Sequence, residues 1–177
     1  LLIYKYRANF CDNINKYITE IFKSIFNIGE MKIKYVPSYK NKTETMLLKS
    51  YQKNYSKEME LGKTILGIHH DDIEFILDNN NLKEWGSEGQ RKNAIISFKL
   101  AELNVIYEHK KYYPILILDD LFSELDKEKI ANILKLLNEK VQTFITTTEI
   151  NKIERKIIKK AKIFKVENGT IEEDLHE

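Results

Sequence analysis

The spacing of apolar residues predicts a helix, a strand and a second helix at the start of the chain. From Leu2 to about Phe26, apolar residues recur every three or four positions, which is the period of an amphipathic helix. Gly29 lies where a glycine often ends a helix. Residues 31–35 alternate between apolar residues and lysine and predict a strand. A second helix is predicted from Thr43 to about Leu61, and its apolar stripe consists of Leu47, Leu48, Tyr51, Tyr55 and Met59. We predict that this stripe packs in a core or on another helix, and the alternative is a base-stacking surface.

Strands and helices then alternate along the chain. Residues 73–77 predict a strand, and the polar residues 78–81 predict a hairpin turn. A long helix begins near Ser87, and its wide apolar stripe predicts packing on a sheet. The unbroken apolar run at 115–118 is typical of a strand covered on both faces in a parallel sheet. These elements predict the second half of an α/β sheet domain.

The last third of the chain continues this alternation. Asp126 can cap a helix with Ile130, Ile133, Leu134 and Leu137 on its buried face, and residues 141–145 predict another strand. A helix is predicted from Ile150 to Ala161. Its outer face, interpreted as solvated or as a contact for phosphate backbones, carries Lys152, Arg155, Lys156, Lys159 and Lys160. A strand at 163–166 and a turn at Asn168-Gly169 follow, and the residues from Glu172 onward are expected to be frayed.

Composition narrows the class of protein but not its function. A net charge of +2 is too small to indicate a nucleic-acid partner by itself. The single cysteine, Cys11, excludes an internal disulfide and favours a reducing, cytoplasmic compartment. No apolar run approaches the roughly 20 residues of a membrane span. The helical pattern is already running at Leu1, so we expect a fragment of a longer protein.

The start of the long helix has the pattern of an anion site. Ser87 and Gln90 have the spacing of a capping box, which would satisfy two backbone N–H groups. Gly89 leaves the helix entrance free of a side chain, so a phosphate could approach the backbone N–H groups. The alternative is that Ser87 only caps the helix.

Two adjacent acids follow the buried apolar run. Ligands of parallel sheets collect at the carboxyl ends of strands, where Asp119 and Asp120 are placed. Carboxylates there could hold Mg²⁺ and orient or deprotonate a water molecule. The alternative is a pair of turn aspartates. Three threonines, 146–148, stand at the end of the next predicted strand.

Two other stretches imitate functional motifs. Gly62-Lys63-Thr64 resembles the end of a phosphate-binding loop, but Lys57 occupies the position of the first glycine and no apolar strand leads into it. We therefore reject a phosphate-binding loop there. His69-His70-Asp71-Asp72 invites a metal site, but adjacent side chains point in different directions, which favours a polar turn.

The ordered series of motifs resembles the ABC-type ATPases of the SMC-like group, and most of all the RecF family. Residues 87–90 are similar to the signature motif of that group, residues 115–120 to its Walker B strand and residues 123–126 to its D-loop. Residues 67–72, 99–102, 141–148 and 163–169 also resemble the RecF family, so the resemblance covers nearly the whole chain. It departs from the family at Ile68, His70 and Glu88, and Thr147 stands near the switch histidine of transporter ATPases.

The resemblance implies the C-terminal part of an ABC-type ATPase domain, at residues 63–177, joined to part of an inserted helical lobe, at residues 1–62. It implies an ATPase in which two ATP molecules lie between two protomers, with the phosphate-binding loop outside these residues. The implied metal ligand is Asp119 for Mg²⁺, and the implied catalytic residues are Asp120, as the base, and Thr147, at the switch position. The residues implied to contact ATP or to communicate across the dimer are Ser87, Glu88, Gly89, Gln90 and Asp126.

The implied role is ATP-dependent dimerisation and binding to DNA at gaps or single-strand/double-strand junctions. The implied protein partners are mediators of the RecR and RecO type. The resemblance implies no contact with a membrane. Three alternatives remain open: the nucleotide-binding subunit of a transporter, a chromosome-maintenance ATPase, and a non-catalytic fragment. The role of His69-His70-Asp71-Asp72 is open as well.

Overall fold

The structure, a computed structural model, describes residues 1–39, 43–137 and 141–174. The described residues divide into two compact units, Leu1–Lys111 and Tyr112–Glu177, and each has its own fold. We predicted a different kind of boundary, between residues 62 and 63, which separates an inserted helical lobe from the ATPase domain of the full-length protein. That boundary stays a prediction.

Helix α1 (Leu2–Phe26) forms the centre of the first unit, with the bounds that its apolar period predicted. Its buried face includes Ile14, Ile18 and Phe22, each fully buried. The helix ends two residues before the predicted glycine cap, because Asn27 adopts a left-handed conformation (φ 53°). Gly29 has a different role: a Cβ there would lie 2.6 Å from Leu77 Cδ1.

An antiparallel sheet in the order β1–β2–β3 packs beside α1. Its strands are β1 (Met31–Val36), β2 (Asp72–Leu77) and β3 (Asn80–Asn81). Asn15 of α1 bonds both backbone groups of Ile33, accepting from its N–H and donating to its carbonyl at 2.8 Å each. At Ile33, the backbone groups on the outer edge of β1 are therefore bonded by a helix instead of being left open for pairing.

Helix α2 (Glu44–Leu61) begins at the Thr43 cap and ends at Gly62, which has φ 62°. We predicted that its apolar stripe packs in a core or on another helix, but every residue of α2 is exposed or half-buried, with Tyr55 64% and Met59 67% exposed. Period 3.6 specifies which face of a helix is apolar, but not whether a partner covers it. Gly62-Lys63-Thr64 lies at the end of this helix, as the rejection of a phosphate-binding loop requires.

A short helix α3 (Leu82–Trp85) leads into the long helix α4 (Glu88–Lys110). We predicted packing on a sheet, but α4 packs mainly along α1. The sheet contributes through Phe75 of β2, whose ring lies edge-on to Phe98 with 5.6 Å between centroids. Phe10 of α1 meets the same ring at 6.1 Å.

The second unit contains a parallel pair of strands, β4 (Leu116–Asp119) and β5 (Thr143–Thr146), with helix α5 (Lys127–Leu136) between them in sequence. The apolar run of β4 is not covered on both faces, because Leu118 is 9% exposed whereas Ile117 is 68% exposed. The core of this unit includes Leu118, Phe122, Leu125, Ile130, Ala131, Ile133 and Val141.

The end of the second unit differs from its prediction in two places. The helix predicted at 150–161 is interrupted: a 3₁₀ turn (Ile150–Lys152) precedes the short helix α6 (Arg155–Ile158), and Ile153 between them is extended. Strand β6 (Ile163–Glu167) pairs with β7 (Thr170–Asp174) around the predicted Asn168-Gly169 turn. Glu172 and Glu173 belong to β7 rather than to a frayed end, and residues 175–177 lie outside the described residues.

Candidate functional site

The start of α4 forms the predicted capping box. The Ser87 hydroxyl accepts the Gln90 N–H at 3.2 Å, and the Gln90 side chain accepts the Ser87 N–H at 2.9 Å. A Cβ at Gly89 would meet nothing within 4 Å, so the space in front of the helix entrance is open. The Glu88 carboxylate forms an ion pair with Lys92, with 3.1 Å between Oε1 and Nζ. Backbone N–H groups and the positive end of the dipole favour an anion at such an entrance.

The acidic pair lies at the carboxyl ends of the parallel strands in the second unit. In the register of β4 and β5, Asp119 is the partner of Thr146. The Thr146 hydroxyl donates to Asp119 Oδ1 at 2.5 Å and accepts the Asp120 N–H at 3.0 Å. Both aspartates are exposed, and within the described residues Asp119 Oδ2 accepts no hydrogen bond.

The backbone at Asp120 turns sharply. Asp120 has φ 46° and ψ 20°, a left-handed conformation that costs free energy in residues other than glycine. Its carbonyl accepts the Ser123 hydroxyl at 2.8 Å, and its N–H is held by Thr146. Because both backbone groups are bonded, the direction in which the chain leaves β4 is fixed.

The turn that follows the acids is held by two charged side chains. Asp126 caps α5 by accepting the Lys129 N–H at 2.9 Å. The Lys129 side chain, 2.7 Å away, and this N–H hold the pKa of Asp126 below its usual range. Lys152, which we predicted on a solvated face, instead donates to the carbonyls of Phe122 and Ser123 at 3.1 Å each.

The predicted switch residue, Thr147, directly follows Thr146 in sequence but does not share its contact with the acids. The Thr147 hydroxyl accepts the Glu149 N–H at 3.0 Å and shapes the turn after β5. The threonine in contact with the acids is Thr146, which the sequence reasoning grouped with its neighbours without separating it. Parallel pairing of the two strand ends was the signal that could have identified it.

The histidine–aspartate stretch folds as a polar turn, as its adjacent positions predicted. Asp71 turns inward, its side chain 2% exposed, and pairs with Arg7 at 2.7 Å. His69 and His70 instead contact Thr64, at 2.7 and 3.0 Å. Among residues 1–39, 43–137 and 141–174, no three histidine, cysteine or acidic side chains are grouped for a metal ion.

Burial and hydrogen bonds act in opposite directions on the groups around Asp71. Burial alone would raise the pKa of Asp71, but hydrogen bonds from the Ser38 N–H, Tyr35 and Arg7 outweigh it and lower this pKa. Burial also raises the pKa of Tyr35, to about 12. Asp71 is therefore a charged, fully bonded residue of the first unit.

Asp119 and Asp120 suit a magnesium ion better than the His69-His70-Asp71-Asp72 stretch does. Mg²⁺ usually takes one or two carboxylates and completes its shell with water and substrate phosphates, so a protein needs few ligands for it. Two exposed carboxylates, one with an oxygen that accepts no described hydrogen bond, supply that set of donors. The residues therefore fit the ion.

Comparison with known proteins gives consistent results. Residues 47–177 match the model of a family described as an uncharacterised protein conserved in bacteria (DUF2326). The DNA replication and repair protein RecF of Limosilactobacillus reuteri (strain DSM 20016) is 35% identical over 176 residues, which are 95% of this chain and 47% of the relative. RecF of Bacillus mycoides (strain KBAB4) is 36% identical, over 96% of this chain and 48% of its own length. The chain thus spans about half the length of the curated relatives it matches.

Solved structures agree with this result. The recombination mediator protein RecF with ATPrS superposes with a TM-score of 0.77 at 25% identity, over 97% of this chain and 46% of that one. An SMC ATPase superposes with a TM-score of 0.54 at 16% identity, over 96% of this chain and 87% of the other. The predicted fold class, part of an ABC-type ATPase, is confirmed. The chain belongs to the DUF2326 family, and nearly all of it is similar to about half of a RecF protein.

Proposed function

We propose that the full-length protein is a Mg²⁺-dependent ATPase of the RecF type that acts in DNA repair and replication. The observation that carries this proposal is the acidic pair at the carboxyl ends of parallel strands, in a chain that is similar to RecF over 95% of its length. RecF relatives have been solved with ATP, which supports a nucleotide as the ligand.

In the proposed reaction, residues 87–90 act at the interface between two protomers. Two protomers enclose two ATP molecules. Ser87 and the Gly89 backbone of one protomer contact the γ-phosphate held by the other, through the open helix entrance. Glu88 and Gln90 complete this signature segment, and Gln90 does so by holding the Ser87 N–H.

The acidic pair and the residues after it belong to the ATP of their own protomer. Asp119 holds the magnesium ion, which neutralises phosphate charge, and Asp120 accepts a proton from the attacking water. Asp126, at the start of α5, communicates across the dimer, and Thr147 occupies the switch position after β5. These 177 residues alone are proposed not to hydrolyse ATP, because Gly62-Lys63-Thr64 ends a helix and supplies no phosphate-binding loop.

The similarity to RecF supports a proposal for the biological setting. ATP-driven closure of the dimer would clamp DNA at gaps or at single-strand/double-strand junctions, and mediators of the RecR and RecO type would help to load the recombinase. We propose a cytoplasmic location and a part in the SOS response. No helix in the described part of the chain is both long and apolar enough to cross a membrane.

The proposal is tested by replacing Asp120 with asparagine in the full-length protein. General-base catalysis typically contributes 10²–10⁴-fold, so we expect ATP turnover to fall roughly 100-fold or more while ATP still binds and the ATP-bound dimer accumulates. Steady-state ATPase assays with gapped DNA and light scattering measure the two effects. Glu128→Gln, which removes an exposed carboxylate of α5, is the matched control and should leave turnover unchanged. Normal turnover in Asp120→Asn would remove Asp120 from the base role.

A further inference from the structure

One hydroxyl, that of Thr146, joins the two acids at the end of β4. It uses its proton to bond Asp119 Oδ1 at 2.5 Å and its lone pair to accept the Asp120 N–H at 3.0 Å. A threonine hydroxyl has one proton to donate, and here that proton goes to the carboxylate. The same side chain therefore orients Asp119 and fixes the turn at Asp120.

The backbone ladder holds this hydroxyl in place. Asp119 and Thr146 are register partners at the carboxyl ends of β4 and β5, and the ladder begins with the Leu116 N–H donating to the Gln142 carbonyl at 2.9 Å. Partners in adjacent strands project side chains on the same face of the sheet. The contact between the two side chains is thus a product of sheet register and needs no loop to hold it.

The contact also determines which oxygen of Asp119 remains available. With Oδ1 engaged by Thr146, Oδ2 accepts no hydrogen bond from the described residues. Carboxylates that ligate metals are themselves hydrogen-bonded, and loss of such a partner typically weakens metal affinity 10–100-fold. A carboxylate freed from Thr146 could rotate about its terminal bond and would lose this preorganisation.

We propose that Thr146 is a positioning residue that holds Asp119 for a divalent cation and Asp120 for its attacking water, through one hydroxyl shared by both residues. The proposal rests on the proposed function, because it takes Asp119 as the ligand of the ion. It assigns no such role to Thr147, whose hydroxyl accepts the Glu149 N–H.

The test measures metal binding without hydrolysis. Mn²⁺ is titrated into full-length protein loaded with ATPγS, and free Mn²⁺ is followed by electron paramagnetic resonance. We expect Thr146→Val, which keeps the branched shape and removes the hydroxyl, to weaken Mn²⁺ binding about 10–100-fold. Thr146→Ser keeps the hydroxyl and should bind within about twofold of the wild type.

The matched control is Thr143→Val, in the same strand. The Thr143 hydroxyl donates locally, to the Val141 carbonyl at 3.1 Å, so its loss should leave Mn²⁺ binding unchanged. Thermal melting shows whether each variant is folded, and Thr146→Ala removes the same hydroxyl if the valine variant melts early.

The possible outcomes separate this proposal from the one on which it rests. Wild-type protein that binds ATPγS and Mn²⁺, together with unchanged binding in folded Thr146→Val or Thr146→Ala, would overturn the role of Thr146 alone. An equal loss in Thr143→Val would overturn it too, because the effect would then belong to the whole strand. Failure of the wild type to bind Mn²⁺ with ATPγS would overturn the proposed function and this role together.

Discussion

Single residues in this chain show how similar chemistry can serve structure or a candidate site. Asp71 directly precedes β2 and Asp119 ends β4, yet Asp71 is buried under donors from Arg7, Tyr35 and Ser38. Asp119 is exposed and accepts a described hydrogen bond only from Thr146. The number of bonds already made therefore separates a residue that holds the fold from one that remains available to a ligand.

Replacing Asp71 by asparagine should destabilise the first unit in a pH-dependent way. At neutral pH we expect the free energy of unfolding to fall by about 2 kcal/mol, because hydrogen bonds to a charged group contribute roughly 1.5–3 kcal/mol. The folded-state pKa of Asp71 is lowered, so its contribution is present above the unfolded pKa of about 3.9 and is lost as the pH falls through the folded pKa. The difference between wild type and variant should therefore shrink below about pH 4.

Urea denaturation of both proteins from pH 7 to pH 3 measures this difference. Asp12→Asn, an exposed aspartate of α1, serves as the control and should change stability little. Equal stabilities of Asp71→Asn and wild type at pH 7 would contradict the structural role of Asp71.

Residue-level prediction from the sequence succeeded where the bonds are local. Ser87 and Gln90 are three positions apart, so their capping box follows from the sequence alone. Thr146 meets Asp119 across 27 positions, and only the register of β4 and β5 distinguishes it from Thr147. The acids themselves were predictable because they end an apolar run.

Secondary-structure elements show the same limit on a larger scale. The bounds of α1 and the Asn168-Gly169 hairpin were predictable from period and turn chemistry. The helix predicted at 150–161 is interrupted, and Lys152 there is bonded to the Phe122 and Ser123 carbonyls. Such long-range contacts override a local period, and no pattern within the segment reports them.

Helix α4 carries a side chain whose removal should stabilise the protein. Ser97 is 0% exposed, and within the described residues its hydroxyl has no hydrogen-bond partner. A buried polar group without a partner costs about 1–3 kcal/mol, so Ser97→Ala should raise the free energy of unfolding by about 1 kcal/mol.

The control for Ser97→Ala is a serine in a comparable helix that does have a partner. The Ser24 hydroxyl of α1 donates to the Ile21 carbonyl at 2.8 Å. Ser24→Ala therefore gains helix propensity but loses this hydrogen bond. Chemical denaturation of both variants gives the comparison. A loss of stability in Ser97→Ala would show that its hydroxyl is satisfied in solution.

At the scale of the whole molecule, the candidate residues are shared between two units. Ser87 belongs to the unit Leu1–Lys111, and Asp119 belongs to the unit Tyr112–Glu177. In the proposed dimer these residues serve different ATP molecules. A substitution at Ser87 should therefore affect assembly and leave the binding of nucleotide to a single protomer intact.

Ser87→Arg in the full-length protein tests this separation. The long cation would fill the open helix entrance and oppose the positive end of the α4 dipole, so we expect ATP-dependent dimerisation to be lost while ATP binding stays within about twofold. Size-exclusion chromatography with light scattering, with and without ATP, measures assembly, and equilibrium dialysis measures binding. Ser56→Arg, at an exposed serine of α2, is the control for the added charge. Loss of ATP binding by Ser87→Arg monomers would contradict the role across the dimer.

The hydrogen bond between Thr146 and Asp119 also has an evolutionary consequence. Positions 119 and 146 share one hydrogen bond and should not vary independently among homologues, because a change at either leaves the other without its partner. In homologous sequences we expect serine to be the accepted replacement at position 146 wherever an aspartate is kept at 119. Lineages that have lost the acid should be released from that restriction and accept valine or isoleucine, which suit the end of a strand.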